Sequence, residues 1–392
     1  MAEGVTRIDS YASAVDCAST LSCLAALGVA IERDGHRVVI GGRGLHALRP
    51  SAGPLDAGNS GSTLRMLAGV LSGRPFRSVL TGDESLRRRP VERVAAPLRA
   101  MGATVESTGG RPPLTLVGGA LQGIRWELPV ASAQVKTAVL LAGLQAAGTT
   151  TVLEPELSRD HTERLLPAFG VSVERAGLEV SLRGGSALRG ATISVPGDVS
   201  SAAFLVLAAL ILPDSEVHID GVLLNPTRTA FLDVLRDMGA RIETGVERED
   251  PEPVGWIVAR SSRLVGTEVA PAAVPALIDE VPALAVAGAF AEGTFRLSGA
   301  AELRVKESDR IAALAEGLGR MGARVEEHPD GIAVRGGTRL RGARVRSFGD
   351  HRIAMSLAVA ALAADGETLI EDAGCASVSF PEFYTLLRRG AS

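Results

Sequence analysis

One short pattern recurs along the chain and limits what it can fold into: an apolar residue, a glycine, a small residue and an apolar alternation. It reads ALGVAIE at Gly28, AMGATVE at Gly102, AFGVSVE at Gly170, DMGARIE at Gly239 and RMGARVE at Gly322, and LLRRG places a sixth copy at Gly390. Successive glycines are 74, 68, 69, 83 and 68 residues apart. Such a glycine ends a helix in the left-handed region, where a Cβ would be penalised, and the alternating residues after it start a strand. A near-constant period of this kind means one supersecondary unit used repeatedly.

Upstream of each glycine lies a second helix with a polar start and an apolar body: NSGSTLRMLAGVL, ASAQVKTAVLLAGL, DVSSAAFLVLAAL, DEVPALAVAGAF and DHRIAMSLAVAAL. These are apolar nearly all round, so they belong in domain centres, whereas the glycine-stopped helices are amphipathic. Short strands such as TVLEP, VHIDG and TLIED stand between the two. The expectation is an α/β (α+β) chain of two domains with three units each. Residues 1–194 form the N-terminal domain and residues 195–392 the C-terminal one.

The first unit is short. From Ser60, Ser132, Ser200, Glu280 and His351 to the glycine that follows is 38 to 42 residues, but Gly28 has only 27 before it. MAEGVTRI aligns with the tails of LAALILPDSEVHI and AVAALAADGETLI, so the first unit is expected to lack most of its apolar helix. Losing about a dozen core residues, at about 1.5 to 3 kcal/mol each, would exceed a domain's total stability of about 5 to 15 kcal/mol. A loose N-terminal domain and impaired activity are therefore expected of the sequence as it stands, with a start codon placed downstream of the true one, or a truncated form of the chain, as the explanation.

Composition narrows the function. A net charge of −4 and 3% aromatic residues give neither a basic field nor stacking platforms for nucleic acid. The longest apolar run, Ala202 to Leu212, is too short for a bilayer, and nothing at the N-terminus reads as a secretory signal, so no membrane role and a cytoplasmic location are expected. Three cysteines without a CxxC pair and six scattered histidines indicate neither a disulfide framework nor a metal site, and no cofactor is expected. Only two of the 41 basic residues are lysines, Lys136 and Lys306. In an arginine-biased chain a lysine marks a place where a compact ammonium matters.

The chemistry lies at the apolar helix starts. Unpaired N–H groups and the positive dipole end make a helix N-terminus a holder of anions. Ordinary N-capping explains any one such cluster; several in register, some with cations, suggest ends gathered around one crevice.

Seven stretches in order carry a resemblance along the whole chain: LDAGNSGSTLRMLAGVL, LTGDESLRRRPVERVAAPLRAMGA, VASAQVKTAVLLAGL, SRDHTERLL, VPGDVSSAAFLVLAAL, RVKESDRIAALAEGLGRMGA and GDHRIAMSLAVAAL. Together they resemble the enolpyruvyl transferase family, in its branch acting on shikimate 3-phosphate. The resemblance implies a two-domain inside-out α/β barrel of six βαβαββ repeats, the first one here incomplete. It implies transfer of the enolpyruvyl group from phosphoenolpyruvate to shikimate 3-phosphate in aromatic amino acid biosynthesis, by a monomer.

Carried over position by position, Asn59, Gly61 and Ser62 match the loop that hydrogen-bonds phosphoenolpyruvate, and Arg89 matches an arginine that grips it. Ser132 and Gln134 match residues holding shikimate 3-phosphate, and Ser158 and Arg159 its phosphate site. Asp279 matches a carboxylate facing the reacting hydroxyl. Lys306, Glu307, Arg310 and Arg352 match the rest of the donor site. Both substrates are polyanions, so arginine forks and a lysine suit them. The catalytic roles implied fall to Asp279, Glu307 and Lys306, with Glu307 handling the proton at C3, which needs a raised pKa. Lys306 and Arg310, four apart, share a face if both lie on a helix start.

Plainer readings stand beside these. KESDR alone reads as a solvated helix start, Arg87 to Arg89 as an exposed basic turn, and His351 as a helix cap. Asp160 and His161 read as local hydrogen bonding. Asp279 and Glu280 are adjacent, and only the resemblance selects Asp279. The chain departs from the family in having no PGDKS-like segment in its first unit; the fourth-unit counterpart Pro196-Gly197-Asp198-Val199-Ser200 has valine in the lysine's place. Val378 also stands before Ser379-Phe380-Pro381, where some members have lysine. Two alternatives follow: a catalytically impaired relative that binds anions in the same crevice, and the UDP-N-acetylglucosamine branch, disfavoured because SLRRRPVE carries no cysteine.

Overall fold

The computed structural model describes residues 1–390. The chain divides into two compact units, Met1–Val195 and the residues from Pro196 onward.

The repeated unit is complete in its plainest form at residues 55–117. Strand Leu55–Asp56 leads into helix Gly61–Leu71, then strand Arg77–Thr81, helix Glu92–Ala100 and the hairpin Thr104–Thr108 with Arg111–Val117. Leu55 pairs with Leu80 in parallel, and Ser78 pairs with Leu116 antiparallel. This is a βαβαββ order, and the stretches 125–183 and 268–335 repeat it. Five predicted helix-stop glycines, Gly28, Gly102, Gly170, Gly239 and Gly322, have φ between 83° and 110°. The left-handed turn expected at each is present.

Three features differ from a plain sixfold reading. Gly390 is the last residue of the last helix, Phe383–Gly390, and the residues after it lie outside the described ones. In the fourth unit the leading strand shrinks to a single bridge, Gly197 with Val222. In the first unit the strand parallel to Glu3–Asp9 is Thr192–Ser194, drawn from the far end of the same half of the chain. Local patterning carries no information on that last pairing, because the partners are some 180 residues apart in sequence.

The apolar helices form the cores. In Met1–Val195, helices Gly61–Leu71 and Ala133–Gly143 each bury eight residues. They approach closely: a Cβ on Gly69 would lie 2.2 Å from the Ala138 carbonyl oxygen, so only glycine fits there. In the second unit Val199–Ile211, Val281–Phe290 and His351–Leu362 bury ten, nine and nine. Helix Val15–Ala26 differs, since it buries only Cys23, and Val5 on the neighbouring strand is 46% exposed. No single described helix is long and apolar enough to cross a membrane; one pair that passes by composition, Pro271–Leu277 with Val281–Phe290, is bent by 114°.

Most core helices begin on a side-chain cap. Ser60 Oγ accepts from Thr63 N–H, Ser132 Oγ from Val135, Asp198 from Ser201 and Asp350 from Arg352. Each such cap contributes about 1 kcal/mol and fixes the first turn, which sets where the neighbouring polar side chains point.

Candidate active site

In Met1–Val195 the capped starts of helices Gly61–Leu71 and Ala133–Gly143 and the C-terminal end of helix Glu84–Arg88 bring Asn59, Ser62, Arg89 and Gln134 together. Arg89 is 8% exposed, and its Nη2 donates to Asn59 Oδ1 at 2.6 Å, while Asn59 Nδ2 donates to Asp83 Oδ2 at 2.7 Å. Gln134 Nε2 donates to Ser62 Oγ at 2.8 Å. Arg65, which sequence reasoning passed over, joins these groups. Its Nη1 donates to Gln134 Oε1 at 2.7 Å, and its Nη2 donates to the Pro90 carbonyl at 3.0 Å. A Cβ on Gly61 would stand 2.6 Å from Arg65 Nη1 and 3.5 Å from Arg89 Nη1, so this glycine leaves the room the two guanidinium groups occupy. The available signal for Arg65 was its spacing, one helical turn after Gly61.

Ser132 caps the helix that carries Gln134. Ser158 is buried and Arg159 is half-buried in the loop that follows strand Thr149–Leu153. Asp160, beside them, accepts from Arg164 Nε and Arg175 Nη1, both at 2.9 Å, which fits the local hydrogen bonding read from sequence.

In the second unit Asp279 stands among three cations. Arg310 Nη1 is 3.4 Å from Asp279 Oδ1, Lys306 Nζ is 3.9 Å from the same oxygen, and Arg352 Nη2 is 3.8 Å from Oδ2. Arg352 Nη1 also donates to the Asp279 backbone carbonyl at 3.0 Å. Glu307 Oε2 accepts from Arg310 Nη2 at 2.6 Å. The adjacent acids differ in exposure: Glu280 is 1% exposed and accepts from Ser200 Oγ, whereas the Asp279 side chain keeps 13% of its surface open, and Arg352 lies 3.7 Å from the one and 3.8 Å from the other.

Two local expectations are corrected here. Lys306 is not on a helix with Arg310; it follows the 3₁₀ turn Ala301–Val305, and the helix begins at Arg310 with Asp309 as its cap. Both cations still reach Asp279, through a turn rather than along one helix face. The cap of the last core helix is Asp350, not His351, because a carboxylate accepts the free N–H of the first turn and a neutral ring is the poorer acceptor there.

Electrostatics follow from burial and neighbours. Burial opposes the charge on Arg310, but Asp350, Glu307 and Asp279 outweigh it and hold its pKa above the usual value. Burial likewise works against the Asp350 carboxylate, and Arg310 outweighs it, so its pKa lies below 3.8. Burial, then Arg352, push His351 down to about 4, leaving a neutral imidazole at neutral pH. Among the described residues no three metal-ligating side chains come together.

Arginines, a lysine and carboxylates gathered at helix ends and turns of repeated β–α units suit a protein of the class that holds multiply charged small anions. The chain belongs to the EPSP synthase (3-phosphoshikimate 1-carboxyvinyltransferase) family, whose sequence profile matches residues 1–387. It is 53% identical to the 3-phosphoshikimate 1-carboxyvinyltransferase of Synechococcus sp. (strain JA-3-3Ab), over 99% of this chain and 89% of that one. It is 48% identical to the enzyme of that name from Brevibacillus brevis, over 99% and 92%. Among solved structures, EPSP synthase from Acinetobacter baumannii matches with a TM-score of 0.87 at 45% identity, over 100% of this chain and 91% of that one.

Proposed function

We propose that this chain transfers the enolpyruvyl group of phosphoenolpyruvate to the 5-hydroxyl of shikimate 3-phosphate, releasing phosphate. The observation that carries the chemistry is the position of Asp279 among Lys306, Arg310 and Arg352. Asp279 takes the hydroxyl proton as the oxygen adds to C2 of the donor, and Glu307 delivers a proton to C3. The product of this step is a tetrahedral ketal phosphate. Loss of a C3 proton and of the phosphate then yields the enol ether, so protons and charge balance over the two steps. Fixed cations stabilise the anionic intermediate without reorganising. Arg310 Nη2 donates to Glu307 Oε2 at 2.6 Å, and the phosphate and carboxylate of the donor compete for that cation.

In the first unit the Asn59, Gly61, Ser62 and Arg89 network supplies donors for the phosphoenolpyruvate oxygens. Ser132, Gln134, Ser158 and Arg159 supply those for shikimate 3-phosphate. With this reading goes a monomer acting in the cytoplasm, where its phosphorylated substrates are made. Phosphate release tests it: release is expected only when both substrates are present, and not when UDP-N-acetylglucosamine replaces shikimate 3-phosphate. Release from phosphoenolpyruvate alone, or with the nucleotide sugar, overturns it.

A further inference from the structure

The proposed phosphate-binding serine already has a partner. Ser158 Oγ donates to Glu154 Oε1, and both residues are buried. The other carboxylate oxygen, Glu154 Oε2, receives Lys136 Nζ at 2.7 Å, and the same ammonium stands 2.8 Å from Glu163 Oε1. All three charged side chains are sealed, with 0% to 1% of their surface exposed. Lys136 is therefore no ligand for a phosphate: it is out of reach of solvent and committed to two carboxylates. It lies on helix Ala133–Gly143, two residues after Gln134, while Glu154 follows strand Thr149–Leu153 and Glu163 belongs to helix His161–Leu165. One ammonium thus ties the Gln134 helix to both ends of the loop that carries Ser158 and Arg159.

A serine hydroxyl has one hydrogen to give. To donate to a phosphate, Ser158 must turn away from Glu154, and a buried carboxylate that loses a donor is costly unless another donor stays. Lys136 is that donor. We propose that Lys136 is a positioning residue for shikimate 3-phosphate: through Glu154 it fixes the Ser158 loop and keeps Glu154 compensated while the Ser158 hydroxyl swings to the phosphate. A compact ammonium can sit between two carboxylates where a planar guanidinium would present a wider, flat fork. That accounts for one of the two lysines in a chain that otherwise uses arginine. The inference rests on the functional reading above.

A double-mutant cycle on the full chain tests it, with binding of shikimate 3-phosphate measured by calorimetry and folding checked by circular dichroism. Lys136→Met is expected to weaken binding at least tenfold when Ser158 is present and less than threefold in a Ser158→Ala background, because its effect travels through that hydroxyl. The KM for phosphoenolpyruvate should change less than threefold. Thr137→Val is the structural control. Its hydroxyl bonds to Thr162 at 2.6 Å across the same two elements without touching Glu154, so it should lower the melting temperature and leave binding within twofold. If Lys136→Met does not fold, Glu154→Gln, which keeps an acceptor for Ser158 but faces the ammonium with an amide, runs the same cycle. Equal losses in the two backgrounds, or no loss in either, overturn the positioning role alone. Unchanged binding in Ser158→Ala itself overturns the functional reading on which it stands.

Discussion

Arg310 Nε donates to Asp350 Oδ2 at 2.8 Å, with 1% and 0% of the two side chains exposed. The same carboxylate accepts the Arg352 backbone N–H at 2.9 Å, so one aspartate caps the last core helix and orients Arg310. Arg310 then reaches Glu307 and Asp279 with its remaining nitrogens. Removing it takes a cation from three carboxylates, and the fully buried Asp350 loses its paired charge. Arg310→Met is expected to cost about 3–5 kcal/mol of stability, because an uncompensated buried charge remains. Urea unfolding measures this, and a loss below about 1 kcal/mol contradicts the assignment.

Asp279 is partly open and ringed by cations. Asp279→Asn keeps the shape and removes the base, so turnover is expected to fall about 10²–10⁴-fold. Affinity for shikimate 3-phosphate should change far less. Steady-state kinetics with an independent binding measurement checks the split; a variant that turns over normally removes Asp279 from the chemistry.

His351 links stability to pH. Its pKa falls from 6.5 in the unfolded chain to about 4 in the fold, so on acidification the unfolded chain takes up the proton first. The contribution is complete above pH 6.5 and is lost as pH falls through 4. At about 1.4 kcal/mol per pH unit the loss approaches about 3 kcal/mol at the lower end. Asp350, whose pKa is lowered from 3.8, holds its contribution down to more acid pH and lies outside this window. Denaturant titrations across the window should show the decline in the natural protein and a smaller one in His351→Gln. Equal declines in the two would exclude His351 as the source.

Gly61→Ala tests the donor pocket. The new methyl group displaces Arg65 Nη1, the end of a flexible side chain, so folding should survive. The displaced guanidinium disturbs Gln134 and Arg89. The KM for phosphoenolpyruvate is expected to rise about tenfold, equivalent to about 1.4 kcal/mol, with the melting temperature nearly unchanged. An unchanged KM would show that Gly61 does not border the donor.

The repeats were legible because most rest on local chemistry: a glycine that must enter the left-handed region, and an apolar helix, in most cases with a capped start. The leading strand of the first unit was not, because Thr192–Ser194 pairs with Glu3–Asp9 across nearly the whole half-chain. Among site residues, those in helix-start motifs were visible. Arg65 and Glu154 were missed for different reasons: Arg65 reads as an ordinary helical arginine, and Glu154 reads as a strand-end acid. Their importance comes from partners distant in sequence, Gln134 at 2.7 Å from one and Lys136 at 2.7 Å from the other. Lys136 left a plainer trace in the sequence, as one of two lysines where arginine is the rule.

In the proposed addition and elimination, run by Asp279 and Glu307, C3 of the donor is transiently a methyl group. The most direct test is turnover in heavy water with the product analysed by mass spectrometry. Deuterium is expected in the methylene of the enolpyruvyl group, with almost no product from Asp279→Asn. Product formed at full rate with an unlabelled methylene would contradict it.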